Sequence, residues 1–431
     1  MVHLSLPTPD GFPLSVDCFT PPAPSQIKAS CVIINATGVQ ARFYHDFARY
    51  LSQHDIAVLT FDYRFSGTSL PQAVLNQLKQ AGDDEVKRDD IFHAALVSCP
   101  EKWGLMSHWT QQDLGTVVRY AQEQWRGKPM TLLGNSLGGH LATLLDEEIL
   151  FPSSSSSTDT APVRILNVCG GNAYWQNNPR PEEARFAFDE LVVKPLETDR
   201  VFRASALGLG YDLPYGVGRD WLAWFYHPLF SLQAKKDEEN ARRVAKRCER
   251  YLYVGFEDDE SISKNMMLLH LGLLDLSGNN VHSLWVDPPK AKPEAWPKCG
   301  HVTSFQLQRK KGEQEAEEHE ASGAEGYQAA EEDEDEDNND NNEGSSSSKP
   351  PPSHLSREET VFILYRDYIL HGDIWKSAGE FRQWHPDDER DRHQIRRDED
   401  ERRRKLRAEG KRATGDFAED EEHEGTAKAR L

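Results

Sequence analysis

The sequence is short of several things, and each shortage narrows what the chain can be. No apolar run approaches the roughly 20 residues that a membrane-spanning helix needs, so no transmembrane segment is predicted. Met1 to Pro7 has no basic region leading into a long apolar stretch, so no secretory signal is expected either. The six cysteines (Cys18, Cys31, Cys99, Cys169, Cys248, Cys299) are scattered, without a C-x-x-C spacing, and several stand in apolar runs. They read as buried thiols of a reducing compartment rather than a disulfide framework or a zinc site. Positive charge is also in deficit. The net charge is −21, which disfavours nonspecific nucleic-acid binding. Much of that acidic excess lies beyond residue 308, so it says little about a site elsewhere. A cytoplasmic protein is the expectation. Its length, 431 residues, is long for one domain and could hold two.

What is present is organised around one stretch. Met130 to Leu133 is an apolar run that reads as a buried strand. It breaks at Gly134-Asn135-Ser136-Leu137-Gly138, and a helix-like run starts at once. Strand, sharp turn and helix are the setting that gives a G-x-S-x-G sequence its meaning: the serine is held on a strained backbone with its hydroxyl clear of the strand tip. Gly134 and Gly138 leave room for strand and helix to approach each other.

The rest of the chain alternates in the same way. Two antiparallel strands are predicted around Gly11, Phe12 and Pro13, then a core strand from Ala29 to Asn35. A helix follows from Ala41 to Gln53, with Phe43, Phe47, Tyr50 and Leu51 near a 3.6-residue period. Ile56 to Phe61 reads as a second core strand and Trp109 to Trp125 as a helix; residues 70 to 100 between them look polar and irregular. Val163 to Cys169, Arg250 to Gly255 and Val281 to Val286 are further strands, with a helix around Lys264 to Leu273. Such alternation argues for a mostly parallel sheet covered by helices on both faces. Tyr174 to about Lys246 breaks it with aromatics, helical stretches and no clear strand. Residues 309 to 355, rich in Glu, Asp, Asn, Ser and Pro, cannot bury a core and are predicted to be disordered. An amphipathic helix from Arg357 to Leu370 and a charged tail over 384–431 complete the chain.

A serine hydroxyl is a weak nucleophile until a base takes its proton and an acid orients that base. On this fold the chain order is serine, acid, histidine. The acid is sought in Glu257-Asp258-Asp259-Glu260, directly after a strand. Asp259 is preferred because it stands ahead of the apolar anchor Ile262, with Asp258 as the alternative. His301, after Gly300 and beyond the last strand, is the candidate base, while His140 is too near Ser136 on the following helix. An oxyanion hole needs two N–H donors. Leu137 would supply one and Val39, in the loop after the first core strand, the other, with Gln40 beside it. Asp62, Tyr63 and Arg64 are read as an ion-paired loop anchor. Trp221, Trp224, Phe225 and Tyr226 are read as packing that could also line an acyl pocket.

These residues resemble a family. Gly38 to Tyr44 with Phe47 and Ala48, and Asp62-Tyr63-Arg64-Phe65-Ser66-Gly67-Thr68-Ser69 with Phe65 where glycine is usual, are similar to segments of predicted α/β-hydrolases. The group in question is related to the serine aminopeptidase-like and monoglyceride lipase-like families. Gly134 to His140 resembles its elbow, with Asn135 where histidine is commoner. Tyr174-Trp175, Asp212 to Val217 and Trp221 to Pro228 resemble its lid, and Asp258, Asp259, Gly300 and His301 fall where its acid and base do. The resemblance covers about residues 28 to 305 and the helix from 357. It implies an α/β-hydrolase domain over 1–308 and 356–383, with a helical lid at about 174–247. It also implies a serine hydrolase acting on a small-molecule carboxylic ester, with amide or thioester as second choices. The rivals are acyl transfer by the same residues and a catalytically silent binding protein. No cofactor or metal is called for, and a protein partner for the acidic segment or tail is allowed.

Overall fold

The computed structural model describes residues 1–23, 26–100, 103–152, 161–274, 280–286, 299–306 and 359–372. The acidic segment 309–355 and the tail 384–431 lie outside the described residues. The strands are β1 (Val2–Pro7), β2 (Pro13–Phe19), β3 (Ala29–Ile34), β4 (Ile56–Phe61), β5 (Met130–Asn135), β6 (Val163–Val168), β7 (Val201–Phe202), β8 (Leu213–Pro214), β9 (Arg250–Phe256) and β10 (Val281–Val286). The helices are α1 (His45–Ser52), α2 (Gln72–Ala81), α3 (Glu85–Val97), α4 (Gly115–Gln124), α5 (Leu137–Leu144), α6 (Glu147–Leu150), α7 (Pro181–Phe188), α8 (Lys194–Asp199), α9 (Tyr215–Phe225), α10 (Lys235–Arg247), α11 (Lys264–Leu273) and α12 (Glu359–His371).

Eight strands form one sheet in the order β1-β2-β4-β3-β5-β6-β9-β10. The hairpin β1–β2 and the β2–β4 pair are antiparallel; from β4 to β10 every neighbouring pair is parallel. A parallel sheet is covered on both faces, so its strands read as continuous apolar runs, and all six residues of β3, β4, β5 and β6 are buried. Alternate side chains enter two separate cores. In β9, Tyr251 and Tyr253 face the core that also holds residues of α4, α5, α9, α10 and α11. Leu252, Val254 and Phe256 face the core built with α1 and α12. Each fully buried Val, Ile, Leu or Phe adds about 1.5–3 kcal/mol. The face carried by α1 would therefore lose much of its cover without α12. That helix is tied in by Phe362, whose ring lies 4.7 Å from Phe47, and by Tyr368, whose hydroxyl donates to the Ile165 carbonyl at 2.9 Å.

The structure departs from the sequence reading in two places. Residues 70–100, predicted irregular, form α2 and α3; α2 buries none of its residues and α3 only Ala95 and Leu96. The segment 174–246, predicted to hold no clear strand, contains the two-residue antiparallel pair β7–β8. The last helix is described from Glu359 to His371; Arg357, its expected start, lies outside the described residues. No helix among the described residues is long and apolar enough to cross a membrane.

The strand order places one point apart from the rest. From β3 the chain crosses to β4 on one side and then to β5 on the other. The carboxyl ends of β3 and β5 therefore diverge and leave a crevice, the position where open α/β sheets bind ligands. Ala36 to Val39 follows β3 and Ser136 follows β5.

Candidate active site

Ser136 joins β5 to α5 with φ +52° and ψ −113°. A side-chain-bearing residue in that region carries strain of about 1–3 kcal/mol, and the surroundings impose it. The Ser136 N–H donates to the Val168 carbonyl on β6 at 2.8 Å. A Cβ on Gly134 would stand 2.3 Å from the Gly138 backbone, and one on Gly138 would stand 2.1 Å from the Ile34 carbonyl oxygen. Only glycines permit this close approach of β5, α5 and β3.

His301 reaches Ser136 from a loop after β10. Its Nε2 lies 2.8 Å from Ser136 Oγ, and its Nδ1 lies 2.9 and 3.1 Å from the two carboxylate oxygens of Asp259. The carboxylate can only accept, so Nδ1 carries the proton and Nε2 is the lone-pair nitrogen facing the hydroxyl. Asp259 is almost wholly buried (1% side-chain exposure) and His301 is 18% exposed. Asp259 Oδ1 also accepts the N–H groups of Ser261 at 2.8 Å and Ile262 at 3.0 Å, which fixes the carboxylate before it meets the imidazole. Asp258 turns elsewhere. Its Oδ2 accepts the Cys299 N–H at 2.8 Å and so steadies the loop that carries His301.

The two N–H groups named for an oxyanion differ in their state. Leu137 opens α5, and an N–H in the first turn of a helix has no carbonyl one turn back to accept it, which leaves it suited to bind an oxyanion. The Val39 N–H is engaged: it donates to the Ala36 carbonyl at 3.1 Å and closes a tight turn in which Gly38 takes φ +69°. The Val39 N–H therefore stands bonded within its own turn. A turn bond of this kind leaves no trace in residue type. Glycine is also required at position 38 from the other side, because the Tyr211 N–H donates to its carbonyl at 2.8 Å. A Cβ there would meet the Leu209 carbonyl oxygen at 2.5 Å.

The Asp62–Arg64 segment acts as scaffold. Asp62, buried, accepts the Ala41 N–H at 2.7 Å and the Thr68 N–H at 2.9 Å, joining two loops. Burial pushes its carboxyl up, against those N–H donors. Arg64 is fully buried and pairs with Asp113 at 2.7 Å and with Asp10 at 2.6 Å. Phe65, standing where the related loops carry glycine, takes φ +59° and is held there by its ring, 5.6 Å from Phe12. The aromatic group is packing: Phe188 stacks on Phe225 at 3.8 Å and on Trp221 at 5.3 Å, while Trp224 meets Phe230 at 5.7 Å. The Tyr226 hydroxyl donates to Asp189.

Sequence reasoning passed over Tyr44, Asn135 as a hydrogen-bonding group, and Cys169. All three are fully buried polar or polarisable side chains within reach of the crevice. Cys169, at φ +56°, sends its thiol to the Gly300 carbonyl at 3.5 Å. Its sulfur, one Asp259 oxygen and one His301 nitrogen lie within 4.8 Å of one another, the sole set of three potential metal donors among the described residues. Burial, and then the charge of Asp259, push the thiol well up from its usual range. Protonated, it suits a hydrogen-bond donor better than a metal ligand.

His140, one turn into α5, is buried. Its Nδ1 meets Ser231 Oγ at 2.9 Å and its ring lies 4.5 Å from that of His270. Burial pulls His140 from 6.5 down to about 4, and it pulls His270 well below its usual value, with a smaller push from His140. The fold thus holds both rings neutral, whereas the unfolded chain protonates them below about pH 6.5. Stability should be full above that pH and fall toward pH 4, by up to about 1.4 kcal/mol per pH unit for each ring. Urea unfolding at about pH 7 and about pH 5 checks this, and His270→Phe should flatten the dependence. A midpoint that does not move would contradict it.

Residues 31–311 match the alpha/beta hydrolase family, and the chain belongs to that family. No curated protein sequence matches it. Among solved structures it is similar to the esterase domain of a Rhodothermus marinus protein, at 14% identity and TM-score 0.38, over 75% of this chain and 96% of that one. An esterase from Exiguobacterium antarcticum aligns at 13% identity and TM-score 0.37, over 75% and 99%. Mouse alpha/beta hydrolase domain-containing protein 10 aligns at 14% identity and TM-score 0.36, over 75% and 98%.

Proposed function

We propose that the chain is a serine hydrolase that cleaves carboxylic esters through an acyl-enzyme. The observation that carries the reading is the linear contact of Ser136 Oγ, His301 and Asp259 at 2.8 and 2.9 Å, built on a strained elbow at the switch point of the sheet.

The chemistry follows from the atoms. Ser136 Oγ attacks the ester carbonyl carbon while its proton passes to His301 Nε2. Asp259 holds the Nδ1 proton and stabilises the imidazolium that forms. The carbonyl oxygen becomes an oxyanion beside the Leu137 N–H. The Val39 N–H bond to the Ala36 carbonyl, 3.1 Å, joins two neutral groups. A bond to an oxyanion is about twice as strong as a neutral one, so that N–H is drawn to the oxyanion when the intermediate forms. The tetrahedral adduct collapses, the C–O bond to the alcohol breaks, and the leaving oxygen takes the proton from Nε2. Water, deprotonated by the same nitrogen, then releases the acid. The inserted segment 174–247 acts as a lid, its buried aromatics forming the apolar wall beside the acyl group.

Turnover of short p-nitrophenyl esters tests the reading. An initial burst of nitrophenol equal to the enzyme concentration is expected, followed by slower steady release. With an added alcohol, free acid should remain the main product. A predominance of the transesterified product would replace hydrolysis by acyl transfer, and no turnover by folded protein would favour the silent binding protein.

A further inference from the structure

Asn135, the last residue of β5, is fully buried, and its carboxamide reaches three other parts of the chain. Nδ2 donates to the carbonyl of Val168 at 3.2 Å and to the carbonyl of His301 at 3.1 Å. Oδ1 accepts the Tyr44 hydroxyl at 3.0 Å. The same hydroxyl accepts the N–H of Ala36 at 3.0 Å, and the Ala36 carbonyl accepts the N–H of Val39 at 3.1 Å. The orientation of the amide follows from its partners. Two carbonyls can only accept, so the NH2 group faces them, and the phenol proton is left to meet Oδ1.

We propose that Asn135 is the positioning residue that registers the base and the oxyanion turn to the nucleophile. It is bonded to the main chain of His301 itself. Through one phenol it is bonded to the turn that carries the Val39 donor. It is also the residue immediately before Ser136. The Val168 carbonyl already accepts the Ser136 N–H at 2.8 Å, so satisfying that carbonyl does not require an amide here. What the amide adds is the pair of links to His301 and Tyr44. Asp258, Thr303 and Cys169 bond the base loop at Cys299 and Gly300, while Asn135 bonds it at the His301 carbonyl. A tilt of that peptide swings Nε2 away from Ser136 Oγ. Neutral imidazole has one N–H and could not serve both carbonyls; a carboxylate has none and would repel them.

The inference rests on the hydrolase reading, and one experiment separates the two. The full-length wild type, Asn135→Asp, Asn135→His and Tyr44→Phe are titrated with a fluorophosphonate to count active sites, and ester kinetics are expressed per titrated site. This normalisation removes any share lost to misfolding. Displacements near 1 Å cost about 10²-fold; Asn135→Asp and Asn135→His should therefore lower kcat by about that factor, with KM within about twofold. Tyr44→Phe, which keeps the ring and removes the hydroxyl that joins Asn135 Oδ1 to the Ala36 N–H, should lower kcat by about tenfold. A wild type that labels and turns over, with both Asn135 variants within about threefold of its kcat per site, overturns the positioning role alone. A wild type that does not label removes the hydrolase reading, and this inference with it.

Discussion

Replacing Ser136 by Ala should lower ester turnover by about 10⁶-fold, to what binding and the oxyanion donors alone supply. The size follows from the arrangement. On the proposed mechanism Ser136 Oγ, 2.8 Å from His301 Nε2, forms the covalent bond, and a water in its place would not be tethered to the elbow in position to attack. His301→Ala should cost nearly as much, and the double variant little more than either single one, because nucleophile and base act as a unit. Stability should not follow activity. Ser136 holds a positive φ, and its N–H bond to Val168 is made by the backbone, which alanine retains. Wild-type melting behaviour with turnover at the detection limit is the expected pair of results. Turnover within about 10-fold of wild type would move the nucleophile elsewhere.

The second large effect separates two neighbouring carboxylates. Asp259→Asn should lower kcat by about 10⁴-fold, because an amide NH2 facing Nδ1 forces the imidazole into the wrong tautomer and leaves the imidazolium unsupported. Asp258→Asn should stay within about 10-fold, since an amide oxygen can still accept the Cys299 N–H that Asp258 holds at 2.8 Å. KM should change little in both, because neither carboxylate binds the ester. If Asp258→Asn were the more damaging variant, the assignment of the acid would be reversed.

These residues were legible in the sequence to different degrees, for physical reasons. The elbow is legible because three constraints coincide within nine residues: an apolar strand, glycines where chains cross within 2.3 Å of a missing Cβ, and an immediate helix. Asp259 is preferred over Asp258 on the strength of Ile262 as an apolar anchor. The geometry gives that anchor a mechanism: Ile262 is buried, and its N–H and that of Ser261 both turn toward Asp259 Oδ1. The parallel sheet is legible because burial on both faces writes unbroken apolar runs. Helices α2 and α3 are less legible, because they bury almost none of their residues and their few apolar side chains stand among many polar ones. The state of Val39 is hidden for a different reason. A backbone N–H is the same group in every residue but proline, and only the fold decides whether it points at a turn or a substrate. Asn135 shows the remaining limit. One amide in a G-x-S-x-G sequence looks like a variable position, and its links to Tyr44 and His301 join residues 91 and 166 places away in the chain.

The central claim is that Ser136 is an activated nucleophile, and the most direct measurement is the site of fluorophosphonate attachment. Folded wild-type protein is treated with the probe beside Ser136→Ala and His301→Ala, and the labelled peptide is identified by mass. The expected result is one phosphonylated peptide carrying Ser136, absent from Ser136→Ala and close to absent from His301→Ala. A folded wild-type protein that takes up no label, or one labelled equally in Ser136→Ala, would contradict the account.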